Sequence, residues 1–330
     1  MELLKNTFLA LFPLYFYMAT GAVLRKMKIL RTEDLPKLNT LLFRSFLFFS
    51  LFNNVRNADF AGADSGKLLL FGGLSILFLF AVYMLIVPHI IKDYRQSSVA
   101  IQAMYRSNFV LLGMAYAEQL CGPENVGPVS ILVAIVVPSF NLLAVLTFEL
   151  LRGGKVNVGK ILLNIIKNPL IIASILGAIC ALLKITFPEY LDKPMKSLGS
   201  AATPFAMVLV GASLTLKSMA KNKKLVLGVS AVRLILSPLL VVPVAILLGI
   251  RDAALVGIMT ATAAPTAVVS VAMSYELGGD GELAAEIVAT TSLLSLFTMF
   301  LWVLALRGLG YCREIEWRAP FCLWRKWPRQ

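Results

Sequence analysis

The sequence predicts an all-α polytopic membrane protein, with ten transmembrane helices in two inverted five-helix repeats and interruptions in helices 4 and 9. Three observations predict it. Of 330 residues, 58% are hydrophobic and 15% charged, with a mean hydropathy of +0.81, whereas a soluble domain carries about a quarter charged residues. Apolar runs of about 20 residues, the length that crosses a ~30 Å hydrocarbon layer as helix, recur along the whole chain. The first five runs also resemble the last five at an offset near 156 residues.

Taken in order, the runs lie near 6–24, 38–55, 68–91, 97–120, 128–151, 162–183, 197–216, 225–249, 253–277 and 285–307. The first resembles a signal peptide, but its positive charges (Arg25, Lys26, Lys28) follow the apolar stretch, so it reads as a retained span. The connections are short and hold no soluble domain. The repeat shows in Phe12-Pro13-Leu14 and Thr20-Gly21-Ala22, which return as Asn168-Pro169-Leu170 and Leu176-Gly177-Ala178. Asp34-Leu35-Pro36 returns as Asp192-Lys193-Pro194, and Leu120 and Gly122 align with Leu277 and Gly279. Five spans per repeat would place the halves in opposite orientations, the plan of many secondary transporters. This divides the chain into 1–152, a first five-helix repeat, 153–308, its inverted partner, and 309–330, a basic aromatic tail.

Lys and Arg are enriched on cytoplasmic loops. The loops opposite the N-terminus hold Arg25, Lys26, Lys28, Arg31, Lys37, Lys92, Arg95, Arg152, Lys155, Lys160, Lys167, Lys217, Lys221, Lys223 and Lys224, fifteen in all. The N-terminal side holds seven before the tail: Lys5, Arg56, Lys67, Lys184, Lys193, Lys196 and Arg251. The N-terminus is therefore expected outside a cell (inner or plasma) membrane. The C-terminus follows it, although the chain from Arg307 on adds six basic residues there. Trp317, Trp324 and Trp327, interleaved with basic residues, suit either an interfacial segment or a loosely ordered tail.

The net charge of +13 fits this topology better than nucleic-acid binding, since no compact basic domain is present. Four cysteines form no CxxC pair, and the single histidine, His89, stands beside Pro88 at a span end, so neither a metal site nor a cofactor is expected. Gly62 to Lys67 falls one residue short of a phosphate-binding loop. No nucleophile elbow or zinc pattern marks an enzyme. Glu118, Glu149, Glu276 and Glu286 fall near span ends, which gives little support to a carboxylate proton relay.

Chemistry is concentrated in Tyr105-Arg106-Ser107-Asn108-Phe109, inside the fourth span. A charged side chain at that depth costs several kcal/mol unless the place is wet, buried in protein or used. An offset of 157 sets Asn108 opposite Pro265, within Thr260-Ala-Thr262-Ala-Ala264-Pro265-Thr266. Proline removes a helical hydrogen bond and clashes with the preceding turn, so a break is expected there. Interrupted helices at matching places in two halves point to a binding site, and the half-helix N-termini after each break favour an anion. The candidate substrate-binding residues are Arg106, Ser107, Asn108, Asn141, Thr262, Ala264, Pro265 and Thr266. Asn141 could line the site or join helices; Arg106 could bind an anion or act as a structural counter-charge. Arg44 and Arg233 are expected to snorkel or to bond carbonyls, Asn53 and Asn54 to be interfacial, and Gly72-Gly73, Gly211 and Ala212 to allow close packing.

Several of these stretches resemble the auxin efflux carrier family, more narrowly its bacterial malate-permease-like members. They are Arg-Ser-Asn-Phe before Gly113, Asn168-Pro169-Leu170, Ala201 to Ala206, Gly211-Ala212-Ser213-Leu214 and Gly278-Gly279-Asp280, and the likeness runs to about Arg307. The resemblance implies crossed, broken helices 4 and 9, with a small organic anion bound beside their crossing. It also implies a mobile unit of helices 3–5 and 8–10 moving, elevator-like, against helices 1, 2, 6 and 7. Asn108 matches the family's asparagine at the first break, and Pro265 its proline at the second. Two departures stand out: Phe109, not proline, follows Asn108, and the third span lacks the buried carboxylate of the plant auxin exporters. The expected partners are a small organic anion and the lipid bilayer, with no nucleic acid and a homodimer left open. A sodium-coupled carrier of the bile-acid symporter type is the alternative, and a membrane sensor the reading from another class.

Overall fold

The computed structural model describes residues 2–57, 65–109, 127–152, 163, 167–213 and 216–311. The tail beyond Tyr311, Asp64, Glu118, Cys121 and the Leu120/Gly122 half of the repeat lie outside them. Every regular element among the described residues is helical, and the one extended feature is an isolated bridge between Ser107 and Thr266. Among the described residues, three helices are long and apolar enough to cross a membrane: Gly66–Ile90, Asn222–Leu247 and Gly281–Leu306.

The helices run in chain order as follows. α1 is Glu2–Lys26; α2 (Leu35–Leu41) and α3 (Leu47–Arg56) are joined by a π-helical turn, Leu42–Phe46; α4 is Ser65–Ile90 and α5 Tyr94–Tyr105. α6 is Gly127–Leu151, α7 Pro169–Leu182 and α8 Glu189–Ser213. α9 (Leu216–Ala231) and α10 (Ser237–Leu247) are joined by a second π-helical turn, Val232–Leu236; α11 is Asp252–Ala263, α12 Val269–Leu277 and α13 Gly281–Gly308. Local signals place several ends. Asp93 caps α5 by accepting from the Arg95 amide at 2.9 Å, and Asn168 caps α7 by accepting from Leu170, with Pro169 in the first turn. α12 stops at Gly278, whose φ of +81° is the left-handed conformation that glycine adopts without strain.

Two packing groups follow from where small residues sit. In the first, α1 and α8 approach so closely that a Cβ at Gly21 would strike the Val208 carbonyl, and one at Gly211 the Met18 carbonyl. α3 packs against α7 at Gly177 and against α8 at Gly199, where added Cβ atoms would lie 2.8 Å from the Phe52 carbonyl and 3.1 Å from that of Phe49. With no hydrophobic drive between helices in lipid, such close van der Waals contact is a main source of association. The second group gathers α4, α5, α6 and α9 to α13. Gly72 on α4 and Gly257 on α11 both close onto Leu132 of α6.

Named bonds join the groups. Tyr15 on α1 donates to the Ser292 carbonyl on α13 at 2.7 Å. Arg44, expected to snorkel or bond carbonyls, instead pairs with Glu276 of α12, Nε to Oε1 at 2.9 Å, while Thr40 donates to the other oxygen at 2.8 Å. Arg44 turns out exposed, so a partner within reach across the groups, rather than depth, decides its bond. Glu286, expected at a span end, is 1% exposed on α13.

Candidate functional site

In the run read as the fourth span, the helix stops short. α5 ends at Tyr105, and Arg106 turns extended at φ −91°, ψ 114°. No proline enforces this. The carbonyls at the end of α5 are instead taken by donors from elsewhere. Met104 accepts from Arg233 Nη1 at 3.1 Å and from the Ser237 hydroxyl at 3.0 Å, and Tyr105 accepts from the same Nη1 at 3.0 Å. Ala103 accepts from the Thr266 hydroxyl at 3.1 Å, and Arg106 from the Ala267 amide at 3.3 Å.

The run read as the ninth span breaks where proline predicts. α11 ends at Ala263, and Ala264 takes φ −62°, ψ 153°, the extended conformation favoured before proline. In an unbroken helix the amide at position 265 would serve the Ala261 carbonyl, and proline has none. That carbonyl accepts instead from Arg233 Nη2 at 3.0 Å and from the Ser107 hydroxyl at 2.8 Å, while Arg233 Nε serves Ala264 at 2.9 Å.

Arg233 therefore stands at the C-terminal ends of both half-helices. It is fully buried and donates to four carbonyls, two from each. Unsatisfied carbonyls at a helix end carry partial negative charge, so a guanidinium with five fixed donors suits the place. Sequence reasoning anticipated carbonyl bonds for Arg233, but not that they would lock two breaks together.

The breaks meet. Ser107 and Thr266 pair as an antiparallel bridge, the Asn108 amide donates to the Pro265 carbonyl at 2.8 Å, and the Thr266 amide donates to the Thr291 hydroxyl at 3.2 Å. Beside this junction lies a cavity of about 660 Å³ between the two packing groups. Arg106, Ser107, Asn108 and Asn141 line one wall, and Tyr17, Ser50, Asn53, Asn54, Lys196 and Thr203 are on the other. Among the described residues that line it, none is acidic.

Arg106 dominates the electrostatics. It is 4% exposed, donates from Nη2 to Asn141 Oδ1 at 2.6 Å and from Nη1 to the Met273 sulfur at 2.6 Å, and makes no ion pair among the described residues. Asn141 donates its own amide to the Val137 carbonyl at 2.9 Å, which aims its oxygen at the guanidinium. A buried cation held only by neutral groups keeps most of its charge for an incoming anion.

The eight candidates therefore separate. Arg106, Ser107, Asn108 and Asn141 line the cavity. Thr262, Ala264, Pro265 and Thr266 are buried behind its wall, where the Thr262 hydroxyl bonds the Ile258 and Met259 carbonyls of its own helix. Asn53 and Asn54, expected at the interface, also line the cavity, and Asn53 donates to the Met195 carbonyl at 2.9 Å. Their position at a span end suggested exposure; the seating of α3 against α8 turns them inward.

Comparison with known proteins adds one match. A family model described as membrane transport protein matches residues 7–303, well over half of the chain. No curated protein sequence matches.

Proposed function

The chain belongs to the auxin efflux carrier family of membrane transport proteins, and from that premise we propose that it carries a small organic anion of the malate-like carboxylate kind. Arg106 carries the reading: among the described residues it is a buried guanidinium with no carboxylate partner, on the wall of a cavity with no acidic group in its lining. An anion entering there meets a full positive charge, together with the Asn108 and Asn141 amides, which can donate and accept. Transfer of a carboxylate out of water is strongly unfavourable without such compensation.

The proposal extends to architecture and movement. Ten spans form two inverted repeats, 1–152 and 153–308, in the inner or plasma membrane with both termini outside. Helices 3–5 and 8–10 carry the crossing and move, elevator-like, against helices 1, 2, 6 and 7. Reciprocal packing supports the repeat, because α1 meets α8 as α7 meets α3, each through a glycine at an equivalent position (Gly21 and Gly177). The division into two packing groups, with the cavity between them, supports a mobile unit working against a scaffold.

Reconstituted protein, screened with labelled dicarboxylates, amino acids and indole acids with and without sodium, tests the substrate and its coupling. Arg106→Gln should raise the half-saturating concentration of a transported carboxylate by roughly 10- to 100-fold, the worth of a charge-assisted hydrogen bond. An unchanged value at normal rate would make Arg106 structural only. Uptake that requires sodium would favour a carrier of the bile-acid symporter type.

A further inference from the structure

A second cation faces the cavity from the opposite wall. Asp192 and Lys196 stand one turn apart on α8, with Lys196 Nζ 2.5 Å from Asp192 Oδ2, while Arg56 Nη2 lies 2.5 Å from Oδ1 of the same carboxylate. The two cations hold the Asp192 carboxyl below its ordinary range, Lys196 contributing most, so it is ionised at neutral pH. Two positive groups on one negative group leave the cluster with a net charge of +1.

The two cations are not equivalent. Arg56 is fixed: its side chain is 8% exposed, and its guanidinium lies 5.4 Å and 5.3 Å from the ring centroids of Phe52 and Phe187. Lys196 has a side chain 56% exposed and lines the cavity, which Arg56 and Asp192 do not. A flexible ammonium paired at an exposed place gains little from that pair and can leave it. Asp192 then keeps Arg56 as its counter-ion.

We propose that Lys196 is a specificity-determining residue: it leaves Asp192 to take a second carboxylate of a substrate whose first carboxylate is held by Arg106. The inference rests on the anion reading above. Arg106 and the lysine cluster together offer +2 around a cavity with no acidic lining among the described residues, which matches a dianion and leaves a monoanion short of one partner. Because Lys196 belongs to the α1–α3, α7 and α8 group and Arg106 to the other, a substrate with two carboxylates spans both walls, whereas one with a single carboxylate is held by the crossing alone.

The test uses the full chain in detergent, with succinate and butyrate as probes of equal carbon number, and reads the shift in melting temperature against probe concentration. Succinate should bind the unaltered protein more tightly than butyrate. Lys196→Gln should weaken succinate by about tenfold and leave butyrate within about twofold, as expected for loss of one charge-assisted contact. Lys196→Arg should keep the preference, which separates loss of charge from loss of fold. Equal weakening of both acids by Lys196→Gln, or no change in either, would overturn the assignment. Arg106→Gln should weaken both acids. If it leaves both unchanged, or if the unaltered protein binds neither, the anion reading fails and the role of Lys196 fails with it.

Discussion

The two breaks meet through one isolated bridge, Ser107 to Thr266, yet they are made in opposite ways. The second is written into the chain: Pro265 has no amide for the Ala261 carbonyl, and the small buried residues around it leave room for the turn. The first has no helix breaker at all. It persists because Arg233, Ser237, Thr266 and Ala267 take the carbonyls of residues 103–106. The sealed break is support, and the break held from outside is the one that opens Arg106, Ser107 and Asn108 to the cavity. A helix can thus be interrupted either by removing a donor within it or by supplying better donors from its neighbours. Only the second method leaves the local residues free to be chosen for chemistry.

The most forceful way to break this comparison is Arg233→Met. It removes four bonds at once, and each buried carbonyl left without a partner costs ~1–3 kcal/mol. Severe loss of folded protein is expected, read as yield and melting temperature in detergent. A protein that melts normally would mean that the donors around the first break do not hold it.

Asn108→Ala is next. The backbone bond from residue 108 to Pro265 does not need the side chain, so the protein should fold and insert while transport is abolished. Persisting transport would move the chemistry away from the first break.

Pro265→Ala should have a smaller effect and sharpen the contrast. Alanine can adopt the broken geometry but no longer enforces it, an effect of ~1 kcal/mol or about fivefold in population. The Ala261 carbonyl is already served by Arg233 and Ser107, so uptake should be impaired by a few-fold and not lost. Loss as complete as in Asn108→Ala would show that the proline itself, and not its tertiary partners, keeps the second break open.

Much of this arrangement was legible in the chain, and the boundary is instructive. Pro265 announced its own break because the missing donor is a property of the residue. Asn108 stood out as a polar residue deep in an apolar run, but a break there was reached only through the offset between the halves and the family resemblance, since nothing local interrupts α5. Thr262, Ala264, Pro265 and Thr266 were taken together with the cavity residues because they share the depth of the break. Depth follows from position along a span, but the direction a side chain faces follows from which helices pack on which side. The same limitation hid Asn53 and Asn54, whose place at a span end says nothing about the wall of α8 beside them.

By itself the sequence determined that the chain is helical and membrane-embedded, that a break falls at Pro265, and that a cation, Arg106, lies deep in an apolar span. These are consequences of composition, span length and backbone chemistry, all of which are local. Tertiary structure alone decided what ends α5, because its acceptors are served by Arg233 from 128 residues away. It also decided that Arg106 meets only neutral groups among the described residues, that Lys196 lines the same cavity, and that half of the candidate residues stand outside its lining. In a medium without water every backbone acceptor must find a donor within the protein. Which donor it finds depends on helices brought together by packing, and no single stretch of sequence contains that information.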